Sequence, residues 1–320
     1  MKILLASDGS PSAKHAEDLA AATAWPDGSQ IEVLCVDQFA ELELDFPGKR
    51  FVAAHAAVRQ EIDDRVAALV QRLSRPGRTV RARVIFGRPA SAIVHEAGKL
   101  GSELLIIGSH NHGALASFTL GSVSAEVVDH APCPVLVARR SALGPIVLGH
   151  DGSEEAEQAA AVVAMWPFLA CEMVRVVTVS RLIPPWYIGA DAGMSPAING
   201  ELLQELFDAE RAKSERIATA AIAQLRAAGV RVSADVRQGT PADGLLDAIA
   251  ASSAQLVVVG SRGNTGLTRL FLGSVARSVL YQAPCSVLIV RETKPVGART
   301  IAPEHATAAV RDGAAGPARV

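Results

Sequence analysis

Gly260, Ser261, Arg262 and Gly263, followed nine residues later by Gly273, Ser274 and Val275, are the residues of this chain best suited to holding an anion. Glycine lets a backbone turn sharply and come within hydrogen-bonding distance of a bound group. Ser274 can cap the helix that follows, and the free N–H groups and positive dipole end of that helix face whatever sits in the loop. A phosphate is the simplest occupant. The same punctuation occurs at Gly108, Ser109, His110 and Asn111, and then at Gly121, Ser122 and Val123. In each copy the first and last glycines are thirteen positions apart, and the copies are offset by 152. Two halves of about 150 residues sharing one pattern mean a duplicated domain.

The elements that must position these loops read as a β-α alternation. Leu104 to Ile107 and the run ending at Val259 are continuously apolar and stop at a glycine, as buried parallel strands do. From the start, Ile3 to Ala6 is a strand, Asp8-Gly9-Ser10 a turn, and Ser12 to Thr23 a helix with Ser10 or Ser12 as its cap. Ile31 to Val36 is the second strand, and Phe51 to Leu73 a long amphipathic helix. From Thr79 to Ile85, Val80, Ala82 and Val84 alternate with Arg81 and Arg83, which marks a strand with one wet side and hence a sheet edge. Gly87-Arg88-Pro89 opens a helix to Lys99, Gly121 opens another, and Val135 to Ala138 is the fifth strand.

The second half repeats this through Ile146 to Gly149, Asp151-Gly152-Ser153, Val174 to Val179, Val230 to Val236 and Gly239-Thr240-Pro241. Asp8 to Asp151 is an offset of 143 but Gly87 to Gly239 is 152, so nine residues are added between them. They fall in Arg181 to Gly200, a loop or flap carrying Trp186 and Tyr187. The expected fold is α/β: two tandem Rossmann-like domains, residues 1–140 and 145–292, each a five-stranded parallel sheet of order 3-2-1-4-5. An Ala-, Gly-, Pro- and Arg-rich tail at 293–320 is expected to be disordered.

Composition narrows the function. The 320 residues carry a formal charge of −2, with 20% charged residues and no long run of one sign, so nothing points to nucleic acid or an anionic membrane. The first apolar run is too short for a signal peptide, and none approaches the roughly 18 residues of a membrane span, so a cytoplasmic protein is expected. Cys35, Cys133, Cys171 and Cys285 read as small core or near-core residues. His110 and His112 lack a completing ligand set, so no metal site is expected.

In the order 3-2-1-4-5 the sheet reverses direction between strands one and four, and ligands of open α/β sheets sit at the carboxyl ends of those strands. Asp8 and Asp151 end strand one; Gly108 and Gly260 end strand four. Aspartate and glycine loop thus converge from about 100 residues apart on one switch point.

Strand-one aspartate, Gly-x-x-Gly-x9-Gly-Ser loop, Gly-x-Pro and Ala-Pro-Cys together resemble the universal stress protein family in its tandem form. The resemblance implies the adenine nucleotide alpha hydrolase-like fold and an ATP site, with or without magnesium. It implies contacts from Asp151, Val179, Gly260, Arg262, Gly263, Gly273, Ser274 and Val275 in the second half. In the first half it implies Asp8, Val36, Gly108, His110, Gly121, Ser122 and Val123. There Asn111 replaces the second glycine, and His110 and Ser117 stand where the second half has Arg262 and Arg269, so a first site that is weaker, specialised or empty is expected.

Two functions remain, a non-catalytic nucleotide-binding regulator and an ATP-consuming enzyme, with a nucleotide-free dimerisation module behind them. No Gly-x-x-x-x-Gly-Lys-Ser/Thr loop and no Ser-Gly-Gly-x-Asp-Ser loop is present, so no catalytic residue is assigned. The apolar fifth strands, Val135 to Ala138 and Val287 to Val290, are expected to cover each other as a pseudo-dimer of the two halves, and a homodimer of chains is expected beside it.

Overall fold

The structure, a computed structural model, describes residues 1–38, 49–109, 120–181, 200–263 and 272–291. The first half contains β1 (Lys2–Ala6), α1 (Pro11–Ala22), β2 (Ser29–Asp37), α2 (Lys49–Leu73), β3 (Arg78–Phe86), α3 (Pro89–Leu100), β4 (Leu104–Gly108), α4 (Ser122–His130) and β5 (Val135–Ala138). The second contains β6 (Ile146–Gly149), α5 (Glu154–Met165), α6 (Pro167–Ala170), β7 (Met173–Arg181), α7 (Gly200–Ala227), β8 (Arg231–Gly239), α8 (Pro241–Ser252), β9 (Leu256–Gly260), α9 (Ser274–Gln282) and β10 (Ser286–Val290). The insertion with Trp186 and Tyr187, and the tail, lie outside the described residues.

The strands form a single sheet in the order β3-β2-β1-β4-β5-β10-β9-β6-β7-β8. Each half is therefore 3-2-1-4-5 and parallel throughout. The halves join where β10 pairs antiparallel with β5, Leu288 opposite Leu136 and Val287 opposite Val137. The strands that alternate apolar with polar residues, β3 and β8, are the two outer edges, where side chains such as Arg81 face water and discourage further pairing. Strands buried on both faces, β4 and β9, sit inside.

Helix starts follow from single residues. Ser10 Oγ accepts from Ala13 N–H (3.2 Å) ahead of Pro11, and Ser153 Oγ accepts from Ala156 N–H (3.3 Å). Thr240 does the same for α8. One core layer lies on each face of the sheet and runs through both halves. Leu5, Leu136, Leu148 and Leu288 belong to the first; Leu105, Val137, Val257 and Val287 belong to the second.

The seam carries reciprocal contacts. Arg139 Nη2 donates to Leu280 O (2.6 Å) in the last turn of α9, and Arg291 Nη1 donates to Asp129 O (2.8 Å) in the last turn of α4. Each half thus caps the other's helix with an arginine, where cations suit the negative dipole end. Trp25 packs edge-on against Phe168 at 4.7 Å between ring centres. The short α6 carries Phe168, and the first half has no helix at the equivalent place between α1 and β2.

The cysteines divide. Cys35, Cys133 and Cys285 are buried, and burial pushes the Cys133 thiol up to about 12 and the Cys285 thiol up to about 11. Cys171 is exposed, contrary to the core reading, because it caps the end of α6, where the chain turns at the surface.

Candidate functional site

At the carboxyl end of the sheet, β6 lies between β7 and β9, and β1 between β2 and β4. The order in which strands are added reverses beside β6 and β1, and a cleft opens there in each half. In the second half it is a cavity of about 680 Å³, within the size range of small-molecule sites. Asp151, Val179, Gly260, Arg262, Gly263, Gly273, Ser274 and Val275 all line it. The first cleft encloses about 50 Å³, lined among others by Asp8, Val36, Gly108 and Val123. Gly121 and Ser122 are not in that lining, although Gly121 N–H donates to Ser109 O (2.7 Å) as Gly273 N–H does to Ser261 O (2.8 Å). His110, Asn111, His112, Ser117 and Arg269 lie outside the described residues.

The glycines have distinct reasons. A Cβ built at Gly260 would lie 2.8 Å from the backbone carbonyl carbon and oxygen of Glu155, and one at Gly108 would lie 2.7 Å from those of Ser12. Strand-end glycines are needed because the first turns of α5 and α1 press on them, before any ligand is considered. At Gly263 a Cβ would lie 2.5 Å from Asp151 Oδ2, so the glycine loop and the strand-one aspartate meet directly.

Ser274 does not cap its helix, contrary to the sequence reading. Gly273 is the N-cap, with extended backbone (φ −63, ψ 156), and among the described residues no side chain caps the first N–H groups; Gly121 stands likewise before α4. Capping takes a side chain at the last non-helical residue, and here that residue is a glycine. Both helices therefore present uncapped N–H groups and a positive dipole end to their clefts, whereas α1, α5 and α8 are side-chain capped.

Asp8 and Asp151 also shape their own turns: Asp8 Oδ1 accepts from Ser10 N–H (2.9 Å) and Asp151 Oδ1 from Ser153 N–H (3.0 Å). Arg262, which lines the cavity with Gly273 and Ser274 at the start of α9, pairs with Glu155 (3.2 Å).

Sequence reasoning missed the wall supplied by α7: Glu210, Lys213, Ser214 and Ile217 line the second cavity. Their spacing of three and four is one helical face, and that periodicity was the available signal. It also missed His150, which lines the cavity with its side chain buried. Gly152 N–H donates to its Nδ1 (3.4 Å), Glu157 Oε1 lies 3.6 Å from its Nε2, and burial holds the imidazole below its usual value. Among the described residues, no three His, Cys, Asp or Glu side chains gather as metal ligands.

Fold and site define a class: a duplicated, doubly wound α/β protein with an anion-suited helix end at the switch point of each half. The chain belongs to the universal stress protein family, whose model matches residues 1–139 and again 143–291. It is 32% identical over 222 residues to universal stress protein Rv2005c of Mycobacterium tuberculosis, spanning 67% of this chain and 70% of that one. It is 34% identical over 146 residues to a universal stress protein of Thermus aquaticus, spanning 46% of this chain and 97% of that one. A solved universal stress protein from Archaeoglobus fulgidus shares the fold, with TM-score 0.58 and 19% identity over 91% of this chain and 98% of that one. Among the described residues no helix is long and apolar enough to cross a membrane.

Proposed function

We propose that the protein is an ATP-binding regulator of the cytoplasm, with the nucleotide in the second-half cleft and its occupancy read out by partner proteins or by a homodimer. The observation that carries this is the 680 Å³ cavity in which the uncapped end of α9, Arg262 and the Gly260–Gly263 backbone face one space. A helix N-terminus with free N–H groups and an adjacent guanidinium suits phosphates. Val179 and Leu245 supply apolar surface for a base, and magnesium would come with the phosphates rather than from a protein ligand set. The lining offers no lysine of a phosphate-binding loop on α9 and no assigned base, so turnover is expected to be slow or nil.

Mass spectrometry of small molecules released from freshly purified, denatured protein tests the ligand, followed by ATP titration by calorimetry. Absence of binding at millimolar ATP would remove the proposal. Sustained ADP release at roughly 1 per second or more would replace it with the enzyme reading.

A further inference from the structure

The two clefts share their skeleton but differ in what the long helix places against them. In the first half, a Cβ built at Gly9 would fall on the guanidinium of Arg65, so this side chain lies flat on the turn that follows β1. Arg65 Nη2 also reaches Cys35 Sγ (3.7 Å). Burial raises the Cys35 thiol, the Arg65 guanidinium beside it opposes that, and Asp8 and Asp37 add to it. In the second half the same turn is Gly152, and the side chain against it is Ile217, whose Cδ1 lies 3.1 Å from a built Cβ.

Arg65 and Ile217 are therefore structural counterparts, and the offset of 152 that relates the glycine loops relates them as well. The neighbouring positions follow suit. Cys35, Ile62 and Val66 form a small apolar cluster with Val58 and Val84 packed on it, and so close the space between α2 and β2. Thr178, Ser214 and Glu210, the counterparts of Cys35, Ile62 and Val58, line an open cavity. Ile217 stands at the wall of that cavity, whereas Arg65 covers Gly9 beside Asp8.

We propose that Arg65 is a built-in occupant that closes the first cleft to nucleotide, and that the residue at this one helix position decides which half of the chain is the nucleotide site. A guanidinium laid on the Gly9 turn occupies space next to the strand-one aspartate that a ligand would need. A branched aliphatic side chain at the same position leaves that space to the cavity. This rests on the proposed nucleotide site of the second half.

Three variants test it, with ATP titrated by calorimetry and 8-azido-ATP crosslinking with peptide mapping to assign the half. Wild type is expected to bind one ATP per chain and to label second-half peptides only. Arg65→Ile should raise the stoichiometry to two and label the first half as well. Ile217→Arg should weaken the second site at least tenfold. The double variant should bind one ATP again, now in the first half. Arg65→Met serves if Arg65→Ile melts well below wild type, since it removes the charge and keeps the length. First-half labelling in wild type would overturn the proposal. So would a stoichiometry unchanged in Arg65→Ile or Arg65→Met, or wild-type affinity in Ile217→Arg. If wild type binds no ATP in either half, the nucleotide reading itself fails; second-half binding with inert variants sinks only the role of Arg65.

Discussion

The first and second clefts are built on one frame and end as different spaces, about 50 Å³ against about 680 Å³. What they share is backbone. The Asp-Gly-Ser turn, the strand-end glycine pressed by a helix, and the uncapped helix behind a glycine N-cap recur in both. What differs is side chains on the α2 and α7 walls and at the ends of the first two strands: Arg65 against Ile217, Cys35 against Thr178, Ser7 against His150. Duplication thus preserved the parts that make the fold possible and released the side chains that line the clefts. A motif read from glycines alone reports the first and says little of the second.

The sharpest way to break the comparison is to attack what is shared. Gly108→Val and Gly260→Val should each cost about 3 kcal/mol or more, because the new side chain meets helix backbone that cannot yield. Urea denaturation measures both. Similar losses are expected, and a Gly260→Val protein of wild-type stability that had lost only ATP binding would show that its glycine serves the ligand instead.

The seam comes next. Arg139→Ala and Arg291→Ala each remove a charged donor from helix-end carbonyls of the opposite half. Both arginines also thread the interface where β5 meets β10. About 2 kcal/mol is expected from each, with similar values because the two contacts mirror each other. A thermal melt in which one half unfolds independently in the double variant would mean that the arginines, more than the strand pair, make the halves one cooperative unit.

A smaller effect separates the clefts. Gly263→Val places a side chain on Asp151 inside the second cavity and should weaken ATP binding at least tenfold, about 1.4 kcal/mol. Gly121→Val, in the first half, should change it little. Equal losses in calorimetry, or a larger one from Gly121→Val, would reverse the ranking of the sites.

Much of this was legible in the sequence. The buried strands ending at Gly108 and Gly260, the alternating apolar and polar edges and the apolar fifth strands are patterns of period and punctuation, and such patterns survive because burial and backbone geometry impose them. The eight second-half residues that the family resemblance implied are all among those lining the cavity. Three features were not legible. Ser274 looked like a cap because serine favours caps, but which residue is last before the helix depends on where the loop delivers the chain. Cys171 looked buried because its neighbours are apolar, yet a turn at a helix end exposes it. Arg65 was hidden because a single arginine on a long amphipathic helix is ordinary, and only the packing of α2 against the Gly9 turn shows where it points.

The smallest expected effect belongs to His150, which has Ser7 as its counterpart. Ser7 Oγ donates to Glu17 Oε1 (2.7 Å), so the first half carries no titrating group there near neutrality. His150 is only 3% exposed, and burial lowers its affinity for protons below the ordinary 6.5, while Glu157 and Asp151 pull the other way without prevailing. In the unfolded chain the imidazole takes up its proton near its ordinary value; in the folded chain it waits for a lower pH. Between the two, the unfolded state binds more protons, so the contribution to stability is complete above the unfolded value and is lost as pH falls below it. The loss is bounded at about 1.4 kcal/mol for each pH unit in this window. His150→Ser, which copies the first half, should remove this part of the acid dependence and leave what the other histidines and carboxylates contribute. The measurement is the difference in urea stability between wild type and His150→Ser at about pH 7 and about pH 5.5. The gap should shift in favour of the variant on acidification. A gap that stays constant, or that shifts toward wild type, would mean that Glu157 at 3.6 Å from Nε2 captures the proton as an ion pair and outweighs burial.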